Sequence, residues 1–431
     1  MHKGEIDIAL LGCSKNLVDA ERLMRRLEAC GYHTVTDSPS PQGEIAIINT
    51  CGFIGDAKEE SINTILTFAE RKRRGLLKKL YVMGCLSERY LKELQGELPE
   101  VDRFFGKFDF MGIVDELKSI SKSTTITRDF ERILTTPSHY AYFKIAEGCN
   151  RFCSYCAIPL ITGRYKSRPM QDLVAEAEWL AKQGVKELQV IAQDLTGYGQ
   201  DLYHENKIAE LVERLSDVKG IEWIRLHYAY PTHFPMELLR VMRERENVCK
   251  YLDIALQHST DHMLSLMRRH ITAEEQNDLI QHIREEVPGI HLRTTLLLGH
   301  PGETQSDFEQ LLEWVSRMRF ERLGAFAYSD EEGTYAHEHY KDDIPQQVKE
   351  QRVEQLMTLQ ETIAAELNQQ KVGKTMRVII DREEPDYFVG RTEFDSPEVD
   401  GEVLIKKTET YQTGEFYNVK IQQADTFDLY G

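Results

Sequence analysis

The sequence predicts an α/β protein in three parts: an N-terminal parallel α/β domain, a barrel of six β/α units resembling a partial TIM barrel, and a small C-terminal antiparallel β-barrel. Two separate stretches of alternating strand-sized and helix-sized apolar patterns carry the first two parts. The last sixty residues change to short strand-like pieces divided by Pro, Gly and Asp, which carries the third. The chain has 431 residues, room for three units of ~150 residues each. With 41% apolar and 29% charged residues it has the balance of a globular protein rather than of a disordered or membrane chain. Apolar runs such as Thr295 to Leu298 fall far short of the ~20 residues of a membrane span. No basic region followed by a sustained apolar stretch opens the chain, so a cytoplasmic location and no membrane partner are expected.

In the first part, Ile6–Leu11, Glu44–Asn49 and Leu80–Met83 read as strands, and Asn16–Ala29, Ala57–Arg74 and Ser87–Gln95 as helices. Residues 1–120 form this domain, followed by a polar Ser/Thr-rich linker between Ser119 and Ser138. The barrel, residues 135–368, takes strands at Tyr142–Ala146, Glu187–Ala192, Glu222–His227, Tyr251–Leu256, His291–Leu298 and Leu323–Tyr328. Helices fall at Met170–Gln183, Pro235–Arg245, Ala273–Glu286 and Asp307–Met318, the last opened by a Thr304/Asp307 capping box. An active site in such a fold belongs at the C-terminal ends of the strands. A long helix at Pro345–Gln370 leads into the tail, 369–431, with strands at Met376–Asp381, Tyr387–Thr392, Gly401–Lys406 and Glu415–Gln422.

Cys149, Cys153 and Cys156 put three thiols within eight residues, directly after the first barrel strand. Three soft ligands from one loop can hold three irons of a 4Fe-4S cluster and leave the fourth open. Zinc would call for a fourth Cys or His nearby. A ferredoxin-like electron carrier would close every position with a tighter run ending in Cys-Pro, whereas Ala157-Ile158-Pro159 follows here. The Cys-x3-Cys-x-Tyr-Cys run after strand one of a β/α barrel resembles the radical S-adenosylmethionine superfamily. That resemblance implies that the open iron chelates the methionine part of S-adenosylmethionine, whose reductive cleavage yields a 5′-deoxyadenosyl radical able to take hydrogen from an unactivated carbon.

Cys13, Cys51 and Cys85 end three successive strands, 38 and 34 residues apart, each beside a glycine (Gly12, Gly52, Gly84). In a parallel sheet these ends share one edge, so the thiols can converge, with the glycines leaving room for a cluster near the backbone. Three unrelated core cysteines are the plainer alternative. Cys30 and Cys249 lack this placement and read as packing residues.

A second three-cysteine cluster, a radical barrel and a small β domain together resemble the methylthiotransferases over nearly the whole chain. Gly12-Cys13-Ser14-Lys15-Asn16, Asn49-Thr50-Cys51-Gly52-Phe53, Ala57-Lys58-Glu59-Glu60-Ser61 and Gly84-Cys85-Leu86-Ser87-Glu88-Arg89 resemble the branch that acts on ribosomal small-subunit protein twelve. The resemblance implies two 4Fe-4S clusters, S-adenosylmethionine as methyl donor and radical source, and methylthiolation of an aspartate β-carbon. Its partners would be a basic ribosomal protein or the assembled subunit, a sulfur donor, and a small electron carrier such as ferredoxin or flavodoxin. A tRNA-adenosine methylthiotransferase is the neighbouring alternative and a non-enzymatic electron carrier the distant one.

Further segments are similar to the family's cofactor loops: Gln193-Asp194 after the second strand, Gln257-His258-Ser259 after the fourth, and Gly299 to Thr304, including Glu303, after the fifth. Tyr155 would meet the adenine through its backbone, and Arg269 the cofactor carboxylate. Ordinary turn and helix-start chemistry explains the same loops without a ligand. The formal net charge is −18, with −5 in residues 371–431, so the β domain that relatives use for RNA would repel phosphate and suits a basic protein client, making tRNA an unexpected partner. Val372-Gly373-Lys374-Thr375 is no phosphate loop, since Asn368 stands where the pattern needs glycine.

Overall fold

The computed structural model describes residues 2–118 and 128–431, so most of the polar linker expected between Ser119 and Ser138 lies outside the described residues. Two compact units form, one comprising Met1–Thr135, Glu147–Asn150 and Ala157–Arg164, the other Thr136–Ala146, Arg151–Cys156 and Tyr165–Gly431.

The first unit contains β1 (His2–Leu10), α1 (Ser14–Ala29), β2 (His33–Thr36), β3 (Gly43–Thr50), α2 (Gly55–Arg73), β4 (Lys79–Gly84), α3 (Cys85–Arg89), α4 (Leu91–Glu97), β5 (Arg103–Phe104) and α5 (Met111–Lys118). All pairs are parallel, in the order β2-β1-β3-β4-β5. Alternation along β3 sends Ile45 and Ile47 into a core with Leu23, Leu27, Ile113 and Val114, and Ala46 and Ile48 into another with Ile65, Phe68 and Leu80. Burial on both faces requires the near-continuous apolar runs seen in the sequence. The strand order reverses direction between β1 and β3, which opens a crevice at their C-terminal ends. β2 and β5, a polar edge strand and a two-residue strand, lack the apolar runs that made the other strands legible.

The remainder contains β6 (Tyr140–Lys144), β7 (Ala146–Glu147), α6 (Ile158–Thr162), β8 (Lys166–Ser167), α7 (Met170–Lys182), β9 (Glu187–Ile191), α8 (Ile208–Ser216), β10 (Trp223–Ala229), α9 (Glu237–Glu244), β11 (Val248–Gln257), α10 (Asp261–Leu266), α11 (Ala273–Glu286), β12 (His291–Leu298), α12 (Gln305–Met318), β13 (Arg322–Ala327), α13 (Tyr335–His339) and α14 (Gln346–Gln369). Six of these strands make one parallel sheet in the order β13-β12-β11-β10-β9-β6, a partial barrel with β6 and β13 as its edges. The Thr304/Asp307 capping box is formed at the start of α12. The tail adds β14 (Thr375–Glu383), β15 (Tyr387–Thr392), β16 (Val403–Lys406), β17 (Phe416–Lys420), β18 (Gln423–Ala424) and β19 (Leu429–Tyr430). Its sheet is antiparallel except for the parallel β16–β19 pair, which the turn pattern alone did not suggest.

The tail docks on the N-terminal ends of the barrel strands through buried charges. Glu187 at the start of β9 bonds Arg225 Nη2 and Arg391 Nη2, each at 2.8 Å, and all three side chains are almost fully buried. Tyr140 and Tyr142 donate to Glu398 at 3.2 and 3.1 Å, and Tyr251 donates to Asp400 at 2.8 Å. Burial pushes the Glu187 carboxyl up, but Arg391 and Arg225 outweigh it and hold it below the usual carboxylate range. The stability it confers is therefore complete above the ordinary glutamate pKa and is lost as the pH falls toward the lowered native value. Glu187→Gln takes the shared carboxylate from two buried guanidiniums, leaving Arg391 with Asp381 and Arg225 with backbone carbonyls, and is expected to cost about 3–5 kcal/mol in chemical denaturation at neutral pH; a loss under about 1 kcal/mol would contradict this account.

Candidate functional site

Cys13 follows β1, Cys51 follows β3 and Cys85 opens α3 after β4, so the three thiols stand along one edge of the first sheet, at its switch point. Cys13 is exposed, Cys51 half-buried and Cys85 buried. Burial pushes the Cys85 thiol up to about 11 against the pull of Lys107, and the charge of Cys13 and of Cys51 raises it further. Burial and the charge of Cys13 likewise raise Cys51. Mutual repulsion of this kind is relieved when a positively charged metal centre takes the thiolates, so the donor set suits a three-cysteine iron–sulfur centre.

The surrounding side chains organise this edge. Asn16 donates to the Thr50 carbonyl at 3.1 Å, and its Oδ1 accepts from Cys85 Sγ at 3.4 Å and Lys107 Nζ at 3.0 Å. Lys107 is buried and paired with Asp19 at 3.2 Å and Glu147 at 3.6 Å. Ser61 accepts from the Cys51 amide at 3.0 Å, which explains a serine at that place in α2. The flanking glycines have a reason beyond room for a cluster. A Cβ on Gly52 would stand 2.7 Å from the Leu86 amide, and one on Gly84, at φ +104°, 2.6 Å from the Thr50 carbonyl. Backbone approaches backbone at both places, and only glycine permits it.

Cys149 is buried in the loop after β7, and its amide donates to the Gly163 carbonyl at 3.2 Å. Cys153 is buried and Cys156 half-buried, and the Cys156 amide donates to the Cys153 carbonyl at 3.1 Å. Among the described residues, no group of three or more His, Cys, Asp or Glu side chains is arranged as a metal centre.

Arg269 is 2% exposed; its Nη1 donates to Cys153 Sγ at 3.2 Å and to the Tyr155 hydroxyl at 3.3 Å, and its guanidinium lies 4.1 Å from the Tyr230 ring centroid. Its Nε and the Ser259 hydroxyl are buried polar atoms with no hydrogen-bond partner among the described residues. Two such orphans on predicted cofactor positions fit a polar ligand. Gln193 and Gln257, the latter at φ +73°, are half-buried at the ends of β9 and β11. Burial pushes the Tyr155 phenol well above its ordinary value, so it stays a neutral hydroxyl.

Asp194, Gly299 and Glu303 already have internal tasks. Asp194 accepts from Arg151 Nε at 2.6 Å and from Thr196 at 2.6 Å. Glu303 accepts from the Gly299 amide at 2.7 Å, pairs with Arg352, and lies 3.2 Å from His258 Nε2. A Cβ on Gly299 would meet Lys349 Cγ at 2.3 Å, so this glycine shapes the loop.

Several participants escaped the sequence reading. Tyr230 donates to the Arg269 carbonyl at 3.1 Å and lies 3.7 Å from Cys153 Sγ. Arg151 stacks 4.2 Å from the same ring. The Ser154 hydroxyl lies 2.9 Å from His300 Nε2, and burial lowers that imidazole to about 4, so it is neutral at pH 7. Serine between two motif cysteines was the available signal for the last pair; Tyr230 offered none.

Three family models match the chain: an uncharacterized protein family over residues 5–106, the radical SAM superfamily over 143–315 and the TRAM domain over 372–431. Among solved structures, the radical S-adenosylmethionine methyltransferase TsrM from Kitasatospora setae, with cobalamin and a [4Fe-4S] cluster bound, superposes with a TM-score of 0.58 at 14% identity, covering 78% of this chain and 77% of that one. The cobalamin-dependent S-adenosylmethionine radical enzyme OxsB gives a TM-score of 0.54 at 10% identity, covering 83% and 57%. At these identities the likeness concerns the fold. Curated relatives are far nearer. The ribosomal protein uS12 methylthiotransferase RimO of Phocaeicola vulgatus is 63% identical over 431 residues, covering 100% of this chain and 99% of that protein. Those of Bacteroides thetaiotaomicron and Porphyromonas gingivalis are 61% and 58% identical, with 100% of this chain and 98% and 99% of theirs covered. The chain belongs to the RimO family of radical S-adenosylmethionine methylthiotransferases.

Proposed function

We propose that this enzyme methylthiolates the β-carbon of an aspartate in ribosomal protein uS12. The observation that carries the reading is identity of 58 to 63% along the whole chain with enzymes of that name. As a radical S-adenosylmethionine enzyme it uses a 4Fe-4S cluster with S-adenosylmethionine, and Cys149, Cys153 and Cys156 are the ligands its motif offers. Cys13, Cys51 and Cys85 would hold a second 4Fe-4S cluster that presents the sulfur. Bound cofactor and clusters supply reductive cleavage of S-adenosylmethionine, hydrogen removal and a methylated sulfur.

The chain's own groups bind and orient. Arg269 would hold charge beside Cys153 and meet the cofactor carboxylate, with Ser259, Gln257, Gln193 and the Tyr155 backbone as further contacts; its bond to Cys153 Sγ and its unpartnered Nε support this role. Asp194 and Glu303 act through Arg151, His258 and the Gly299 amide, which makes them positioning residues. The acidic surface favours a basic client over tRNA. The tail supplies less of that surface than its −5 suggests, because Asp381, Asp395, Glu398 and Asp400 face His139, Arg322, Tyr140 and Tyr251 of the barrel. A sulfur donor and a small electron-donor protein complete the reaction, and the cytoplasm, where ribosomal protein and assembled subunit are found, is its proposed location. Among the described residues no helix is long and apolar enough to cross a membrane.

Incubating the reconstituted enzyme with uS12 and, separately, with tRNA distinguishes the protein client from the nucleic-acid one. Mass spectrometry is expected to find one added methylthio group on the uS12 aspartate and none on adenosine. Methylthioadenosine with unmodified uS12 would overturn the reading.

A further inference from the structure

Resting on the functional reading above, we propose that Arg293 receives the carboxylate of the client's aspartate inside the barrel. Along β12 burial alternates: Leu292, Thr294, Leu296 and Leu298 are buried, while His291, Arg293, Thr295 and Leu297 are half-buried. The first set packs outward against the helices, and the second faces the barrel interior. Asp253 of β11 stands opposite Arg293 in register, and its Oδ1 lies 3.3 Å from Arg293 Nη1. From the tail, Asp400 Oδ1 lies 3.4 Å from Nε. Two carboxylates thus hold the guanidinium at Nη1 and at Nε. Nη2 is outside both contacts and points past Gly324 of β13, where a Cβ would stand 4.0 Å away.

The approach from the mouth is lined by small residues. Two positions further along the same faces stand Ala255 and Thr295, and Gly324 pairs with Thr295 in register. Phe326, 56% exposed, pairs with Leu297 and adds an apolar wall. Small side chains below an apolar rim admit a short side chain and leave the Nη2 N–H donors at the bottom, able to donate to a carboxylate. Most of the guanidinium's desolvation has already been met by folding, so little reorganisation opposes binding.

The test measures binding of two synthetic uS12 peptides, one with the modified aspartate and one with asparagine there, to reconstituted enzyme in the presence of S-adenosylmethionine without reductant. Wild-type enzyme is expected to prefer the aspartate peptide by at least about tenfold. Arg293→Gln is expected to bind both equally, with the asparagine peptide held as tightly as by wild type. Arg293→Lys, which keeps the charge and loses the Nη2 donors, should fall between. A glutamine variant that keeps the preference, or that weakens both peptides by the same factor, would overturn the inference. Wild-type enzyme that leaves the aspartate peptide unmodified after reduction would count against the functional reading instead.

Discussion

Cys51→Ala enzyme is expected to lose about half of its iron and sulfide, to keep cleaving S-adenosylmethionine to 5′-deoxyadenosine, and to make no methylthiolated product. The expectation follows from the two ligand sets. Cys51 sits at the switch point of the first sheet with Cys13 and Cys85. The other three thiols come from the single loop carrying Cys149, Cys153 and Cys156. Removing one of the three proposed ligands would leave the proposed second cluster short of a thiolate while the loop keeps its own. Iron and sulfide quantification on anaerobically prepared protein, with chromatography of 5′-deoxyadenosine, reads both outcomes. Full iron retention would place the three N-terminal cysteines outside any cluster, and loss of cofactor cleavage would show that the two sets act as one.

Cys153→Ala should have the complementary result, with cofactor cleavage at background and about half of the iron retained. A graded companion separates the ligand from its neighbour. Arg269 donates to Cys153 Sγ at 3.2 Å and to Tyr155 at 3.3 Å, so it supports the ligand without replacing it. Arg269→Gln is expected to slow cofactor cleavage by roughly 10- to 100-fold, the usual effect of losing a group that orients a metal ligand. Rates taken under a strong chemical reductant exclude poor electron delivery as the cause. Wild-type cleavage by Arg269→Gln would remove that arginine from the site.

Local chemistry was legible in the sequence and long-range partnership was not. The strands ending at Leu10, Thr50 and Gly84 announced themselves by buried apolar runs, and parallel order then put Cys13, Cys51 and Cys85 on one edge. The capping box at Thr304 and Asp307 was readable because its partners are three residues apart. By contrast, Glu187 and Arg391 are 204 residues apart, and neither looks unusual among 71 acidic and 53 basic residues. Docking of the tail on the barrel was therefore invisible, as was the commitment of Glu398 and Asp400 to it. Charge counting treated all thirteen tail carboxylates as client-facing surface, when several neutralise barrel arginines or bond barrel tyrosines. The partners of Asp194 and Glu303 were hidden in the same way: a carboxylate after a barrel strand resembles a ligand contact, and only the fold reveals Arg151 and Arg352 beside them.

In the proposed reaction hydrogen leaves the client's aspartate β-carbon for the adenosyl group before sulfur arrives. Labelling that β-carbon of uS12 with deuterium and analysing the 5′-deoxyadenosine by mass spectrometry follows the transfer itself. Deuterium is expected in 5′-deoxyadenosine in step with methylthiolated uS12. Product formation with unlabelled 5′-deoxyadenosine would rule that transfer out.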